Sequence, residues 1–555
     1  NKISEVDALG HETKYVYGLR DTTYTYVDRI YNALNQYDDF SYDFGTGNLD
    51  WEEKNHIRKN YYYDTFGRVL MEVLPYDSYN LPTTEYNYSF DGIAPENVMV
   101  TKRNSLNSTS DVYDYYDGFS NLIQVRSPSD DSQQAVKDIF YDGMGRASFE
   151  HNPYLDNFSD TFSGSSSSAK STNYSYDALG RVVRVWNPDG TNKTIIFNRY
   201  NVTSLDENWH KKAYLLDSYG RISNVYEYNN EPLLNDNNEY RYNTSYYYDL
   251  LDNLVKIVDA KNNEFEFSYN SLGWKTSMDD PDLGDWKYSY DSVGNLVRQI
   301  DNRNMEINLT YDNLNRVLKK AVNDSSIEFR YDEQYLGTLS NLTFDDVFVG
   351  KRTYNYTYDQ RYRITKEEKV VNGSSFETGM TYDSQDKIIS EALGGFSAVG
   401  YSYNAQGLVD KIAGFVNSTK YNAYGNPLNR SFTNNLKMQF AYDSNNGRLT
   451  NIQTNNLQDL NYTYDSVGNV KKIDDTINNR TQTMTYDYLD RLVNASINNS
   501  HYRYVFDELG NMQKIIKDFN ESTRLVYGGE KAHAHYSVVT SGAGVMAYNV
   551  RDLGV

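Results

Sequence analysis

The chain has 555 residues, a net charge of −22, no cysteine, nine prolines, and 56 tyrosines against 22 phenylalanines. Without cysteine there is no disulfide framework, thiolate zinc site, iron–sulfur cluster or cysteine nucleophile. An isoelectric point near 4.8 without a basic stripe disfavours nucleic acid, and no run of about 18 apolar residues offers a membrane-spanning helix.

Tyrosine supplies about a quarter of the 39% apolar residues. The aliphatic remainder is thin for a globular core, so a regular, tyrosine-packed fold is expected instead. In chain order the sequence reads as one repeat. It begins at Asn1, not at a methionine, and soon shows a turn, Asp7-Ala8-Leu9-Gly10-His11, without its full preceding strand. Tyr-Asp pairs follow at Tyr63-Asp64, Tyr116-Asp117, Tyr141-Asp142 and Tyr176-Asp177, with a degenerate copy at Leu216-Asp217. From Tyr248-Asp249 through Tyr290-Asp291 and Tyr464-Asp465 to Tyr486-Asp487 the gaps cluster at 20 to 22 residues, with excursions to 18, 24 and 27. Phe506-Asp507 is a last degenerate copy, and the segment from Gly542 to Val555 resembles the opening of another.

Residues 1–555 are therefore expected to form one continuous array, cut within a repeat at both ends. Arrays need caps, so further polypeptide or a partner is expected over the exposed edges. Two segments interrupt the pattern and are read as solvated surface loops: 159–172, which contains Ser165-Ser166-Ser167-Ser168, and the Asn/Asp-rich 229–239.

The best copies read Tyr-x-Tyr-Asp-x-x-Gly-Arg/Asn before an alternating apolar run, as from Tyr174 to Val185. Asp at the first position and Gly at the fourth fit a type I turn, the Asp capping backbone amides and the Gly accepting positive φ. Tyrosines two apart share one face of a strand. The motif triplets Tyr63, Asp64, Gly67; Tyr176, Asp177, Gly180; Tyr290, Asp291, Gly294; and Tyr464, Asp465, Gly468 are accordingly assigned a structural role. A second turn is expected to close each hairpin, as at Asn187-Pro188-Asp189-Gly190, Asp301-Asn302-Arg303-Asn304 and Asn445-Asn446-Gly447. Isolated hairpins are marginal. Stacked, they would make one antiparallel sheet with tyrosine ladders across strands, and tyrosine in place of phenylalanine suits a face that is packed yet hydrated.

The signature resembles the YD repeat of Rhs proteins, the C component of Tc toxins, and teneurins, over a span from about Asp7 to about Gly510. That resemblance implies an all-β fold, a spiral of stacked antiparallel β-hairpins forming a hollow shell, which in bacterial toxins encloses a cargo polypeptide. The Asp-Pro-x-Gly-type core segment that usually precedes the cleaved toxin in Rhs and Tc shells is not found in this sequence.

Asn-x-Ser/Thr acceptors occur at Asn87, Asn107, Asn157, Asn173, Asn192, Asn201, Asn243, Asn308, Asn323, Asn341, Asn355, Asn372, Asn417, Asn429, Asn461, Asn479, Asn494, Asn498 and Asn520. Their number is about twice what random pairing in this composition yields, which points to N-glycosylation and an extracellular or cell-surface setting. His533 and His535 share a strand face but lack a third ligand, and the acidic run Asp279 to Asp285 lacks EF-hand spacing, so ordinary strand histidines and a solvated turn are expected. No catalytic residue, metal or cofactor is expected: the turn aspartates recur as architecture, and no Gly-x-Ser-x-Gly, Walker or His-Glu-x-x-His motif occurs. The sequence thus reads as a non-enzymatic extracellular structural protein that encloses a cavity or builds a surface layer or filament. Its rivals are a toxin-encapsulating shell, marked by a cleaved cargo, and a teneurin-like adhesion module, marked by EGF-like or propeller neighbours. The expected partners are its own copies or flanking polypeptide, an enclosed polypeptide, and glycans.

Overall fold

The structure, a computed structural model, describes residues 1–555 except 21, 106–107, 230–240, 519, 527–536 and 541–555. Among the described residues it contains 48 β-strands in one continuous sheet and a single 3-10 turn at Asp130–Ser132. Among the described residues no helix is long and apolar enough to cross a membrane, a statement that does not bear on strands.

Strands pair antiparallel with their chain neighbours. Glu264–Tyr269 pairs with Lys275–Asp280, which pairs with Gly284–Tyr290. One strand branches: the two halves of Gln133–Tyr141 pair with Ala147–His151 and with Tyr154–Asn157, and the sheet continues from Ala147–His151 to Ser171–Tyr176.

The hairpin turn follows from the motif. The Gly180 amide donates to the Asp177 carbonyl at 3.0 Å, and the Asp177 amide donates to the Arg181 carbonyl at 3.0 Å. This is a type I turn closed by a residue at positive φ, which shifts the ladder between Ser175 and Tyr176. Gly180 supplies that conformation at φ +79°. The expected return turns at Asn187–Gly190 and Asp301–Asn304 form in the same way. Asn445-Asn446-Gly447 does not: it is the tip of the Tyr442-Asp443 turn itself, with the Gly447 amide on the Asp443 carbonyl at 2.9 Å. One extra residue between Asp and Gly made it resemble a separate turn.

Alternation divides the sheet into two unlike faces. In Glu264–Tyr269 the residues Phe265, Phe267 and Tyr269 are half-buried while Glu264, Glu266 and Ser268 are exposed, and Lys437–Tyr442 repeats the pattern.

The strip also winds back onto itself. Turns late in the chain bond to turns 246 to 307 residues earlier: Gln385 Nε2 donates to the Arg103 carbonyl at 2.8 Å, Asn446 Nδ2 to Asp189 Oδ2 at 3.2 Å, and the Ser466 amide to Asn208 Oδ1 at 3.1 Å. Two successive coils thus rest edge to edge. The accessible surface is 31,994 Å², about 1.6 times the roughly 20,000 Å² of a compact monomer of this mass. A single wound layer has no second layer to bury its faces, which accounts for the excess.

Candidate functional site

The repeated unit is the feature most of the chain serves. In Asp177, Oδ1 accepts the amides of Leu179 and Arg181 at 2.9 and 3.0 Å, and Oδ2 accepts Arg181 Nε at 2.7 Å. The hydrogen bond from Arg181, with the turn amides, holds its carboxyl below the usual aspartate range. Asp64 holds Arg68 in the same way, and Asp291 and Asp465 hold Asn295 and Asn469 through the side-chain amide. Arg or Asn after the glycine is therefore the second half of the Asp cap.

That arginine then reaches the next repeat. Arg146 lies over the ring of Tyr176 at 4.5 Å, and the Tyr176 hydroxyl donates to the carbonyl of Ala147, the residue after the arginine, at 2.7 Å. The arrangement recurs with Arg316, Tyr331 and the Val317 carbonyl, and with Arg448, Tyr464 and the Leu449 carbonyl. Where Trp274 replaces the arginine, its ring packs on Tyr290 at 5.5 Å. At Arg146, Arg316 and Arg448 the arginine of one motif thus clasps the tyrosine of its successor, while Arg181 takes the Phe197 ring at 4.0 Å instead. The expected ladder between the tyrosines of successive Tyr-Asp pairs is not what forms among the described residues, although turn tyrosines such as Tyr335 and Tyr362 do meet at 5.4 Å. Two strands separate equivalent tyrosines, so they stand about 9.5 Å apart, beyond ring contact, and the arginine fills the interval.

Of the acceptor asparagines, Asn87, Asn157, Asn173, Asn201, Asn308, Asn323, Asn372, Asn417, Asn429, Asn479, Asn494, Asn498 and Asn520 are exposed. Asn192, Asn243, Asn341, Asn355 and Asn461 are half-buried, and Asn107 lies outside the described residues. Most of those within strands share the face opposite the motif tyrosines: Asn173 is paired with Trp186, Asn341 with Asn355, and Asn494 with Thr485 next to Tyr486. Asn323, Asn372, Asn479 and Asn498 occupy turns at φ of 49 to 50°, a conformation that favours Asn on its own account.

The segment 159–172 is mostly exposed as far as Lys170, and a few of its residues also pack onto the sheet. Ser171 and Thr172 begin strand Ser171–Tyr176, and the preceding residues close over one sheet face. Phe158 and Phe162 pack edge-on against Tyr113 and Tyr115, which are 6% and 1% exposed. Beneath them Asp138 accepts Gln124 Nε2 at 2.7 Å, His151 Nδ1 at 2.8 Å and the Tyr154 hydroxyl at 2.9 Å. Fully buried Arg126 bonds Gln134 Oε1 at 2.8 Å, Asp156 Oδ2 at 3.0 Å and the Asn157 carbonyl at 2.8 Å, and it also bonds Ser163 Oγ. Both carboxylate oxygens of Asp138 are occupied, which makes it a structural anchor, while the Tyr115 hydroxyl and Gln134 Nε2 of the same cluster are buried without a hydrogen-bond partner.

In the acidic run, Asp280 Oδ1 accepts the amides of Asp282 and Leu283 at 2.8 and 2.9 Å, which makes it a turn cap. The 229–239 segment, apart from Asn229, and the His533, His535 pair lie outside the described residues.

The Teneurin YD-shell family model matches residues 193–340. The crystal structure of TcdB2-TccC3 superposes with a TM-score of 0.82 at 16% identity, over 96% of this chain and 34% of that one. TcdB2-TccC3-Cdc42 gives 0.78 at 15% over 96% and 36%, and the Photorhabdus luminescens Tc holotoxin pore gives 0.76 at 15% over 96% and 35%. The chain spans about a third of these solved chains, and the likeness establishes its fold, a YD-repeat shell. Among curated proteins none matches the sequence significantly.

Proposed function

We propose that the chain is a stretch of non-enzymatic wall that encloses space, with the tyrosine face inward and the polar, asparagine-bearing face outward. The observation that carries this is the return contact of the second coil on the first, because a strip whose edges meet separates two spaces. About two dozen strands lie between contacting turns such as Tyr76 and Gln360. At about 4.8 Å per strand, one coil runs about 115 Å around and about 35–40 Å across, wide enough for a polypeptide inside.

The likeness to Tc shells supports a polypeptide occupant over an empty structural layer. The use of coil edges on one another argues against a filament built by strand addition along those edges. A secreted or cell-surface location and glycans on the outer asparagines complete the reading. Residues 1–555 act in it as one array, its ends met by further polypeptide or by other copies. Negative-stain micrographs and small-angle scattering of the purified chain test it. Hollow rings with a scattering profile of low central density are expected; solid particles or filaments would overturn it.

A further inference from the structure

The turn between Asn201–Leu205 and Lys211–Leu216 lies on the first coil, and the turn after Arg480–Tyr486 lies on the second. Where they meet, His210 Nδ1 stands 3.3 Å from Asp206 Oδ2 and 3.3 Å from Asp490 Oδ1. The ligand atoms of all three lie within 4.8 Å of one another. The His210 side chain is 15% exposed, and its Nδ1 is buried with no hydrogen-bond partner. The Tyr488 ring packs against the imidazole at 5.1 Å.

The chemistry of the trio is that of a ligand set. A separation of 3.3 Å is long for a charged hydrogen bond, yet it is about the edge of a tetrahedron whose bonds to a central ion are about 2.0–2.1 Å. Asp206 is oriented from behind: its Oδ1 accepts the amides of Asn208 and His210 at 2.9 and 2.7 Å, leaving Oδ2 for the site. Asp490 is held at its ligand oxygen, Oδ1, which also accepts Asn469 Nδ2 at 2.8 Å. Such support fixes ligand geometry in metal sites.

We propose that Asp206, His210 and Asp490 bind one first-row divalent cation, of which zinc is the type, and that this ion pins the second coil to the first. An imidazole with two carboxylates suits zinc and its neighbours, whereas calcium and magnesium take all-oxygen sets. Water completes the coordination. Neither the shell fold nor the enclosing function requires this ion, so the proposal stands or falls by itself.

The test is calorimetric titration of zinc chloride into the metal-stripped 555-residue chain at pH 7.5, with calcium chloride as control and thermal melts alongside. One zinc per chain is expected, with a raised melting midpoint and no response to calcium. His210→Ala and Asp490→Asn should each weaken binding by at least about tenfold and abolish the thermal shift, with the β circular-dichroism spectrum retained. If His210→Ala fails to fold, Asp490→Asn decides, being isosteric and partly exposed. Absence of zinc binding, or equal affinity and thermal shift in Asp490→Asn, would overturn the assignment. So would a latch indifferent to zinc that tightens on acidification from pH 8 to 6, which would identify an imidazolium–carboxylate pair.

Discussion

Arg361 on the second coil reaches Asp77 on the first, Nη2 to Oδ2 at 2.6 Å, with side-chain exposures of only 4% and 5%. The same guanidinium donates to the Pro75 carbonyl at 2.7 Å and to the Ser384 carbonyl at 2.9 Å. A buried charge on one coil is thus satisfied by the other.

Removing the guanidinium should open the seam. Arg361→Ala leaves the buried Asp77 with the Thr83 hydroxyl at 2.6 Å and, among the cations of the described residues, only Arg103 at 3.9 Å, which is expected to cost about 3 kcal/mol. Limited proteolysis should then cut first in the turns near residues 75–82 and 359–363. A digestion pattern like that of the parent chain would refute the seam.

The clasp between repeats predicts a smaller, graded effect. Tyr176→Phe removes the bond to the Ala147 carbonyl and should cost about 1 kcal/mol, and Arg146→Met, which removes the stacked cation, should cost a similar amount. Because the ring, the cation and the carbonyl touch one another, the double substitution should cost less than the sum. Denaturant melts of the three variants measure that coupling, and strict additivity would mean the contacts are independent.

Gly294 has φ +97°, and a Cβ there would meet the Trp274 ring at 3.0 Å. Gly294→Val should lower stability by about 1–3 kcal/mol through backbone strain, with ring crowding in addition. An unchanged melting temperature would contradict the turn geometry.

The cluster under 159–170 depends on one carboxylate with three donors around it. Asp138→Asn presents an amide N–H to those donors and should destabilise by about 3–5 kcal/mol. Hydrogen exchange should rise first in the Ser163–Ser168 segment. Exchange confined to other regions would show that the loop is held by its phenylalanines alone.

Two pH limits follow from the tyrosines and aspartates. Asp142, Asp177 and Asp249, whose side chains hold Arg146, Arg181 and Asn253, have carboxyls below the usual value of 3.8. A depressed folded value stabilises above the unfolded value and is lost below it, so stability should be flat near neutrality and fall below about pH 4. Burial raises Tyr115 and Tyr154 to about 12. A raised folded value stabilises below pH 10 and is lost as pH climbs from there towards 12. The difference in tyrosinate absorbance between the parent chain and Tyr115→Phe or Tyr154→Phe in an alkaline titration should therefore appear in step with unfolding; a difference centred at pH 10 in a folded chain would contradict the burial.

What was legible in the sequence was local. The Asp-x-x-Gly spacing specifies a turn through contacts within five residues, so the hairpins at Asp64, Asp177 and Asp291 follow from composition and order alone. The clasp was half legible. Arginine follows the glycine in many copies, but its use by the next tyrosine depends on the two-strand interval, which periodicity alone does not display. The seam was not legible, because its partners lie hundreds of residues apart and nothing in a motif says which earlier turn it will meet: Arg361 sits at a variable turn position, and the motif aspartate Asp507 bonds Lys261 of the preceding coil. The inward contacts of the serine-rich segment were not legible in its composition, since Ser163 and Phe162 meet Arg126 and Tyr115, which are distant in the sequence.

Because late turns dock on particular early ones, the wall behaves like a screw thread whose lead is set by a tally of strands. Deleting or duplicating a single twenty-residue unit leaves every hairpin intact, yet it slides all later turns by about 10 Å along the preceding coil. Arg361 would then face a neighbour other than Asp77. Repeat number per revolution is therefore under a constraint that no individual repeat reveals, and tolerated insertions belong at turn tips, where length can change without altering the tally.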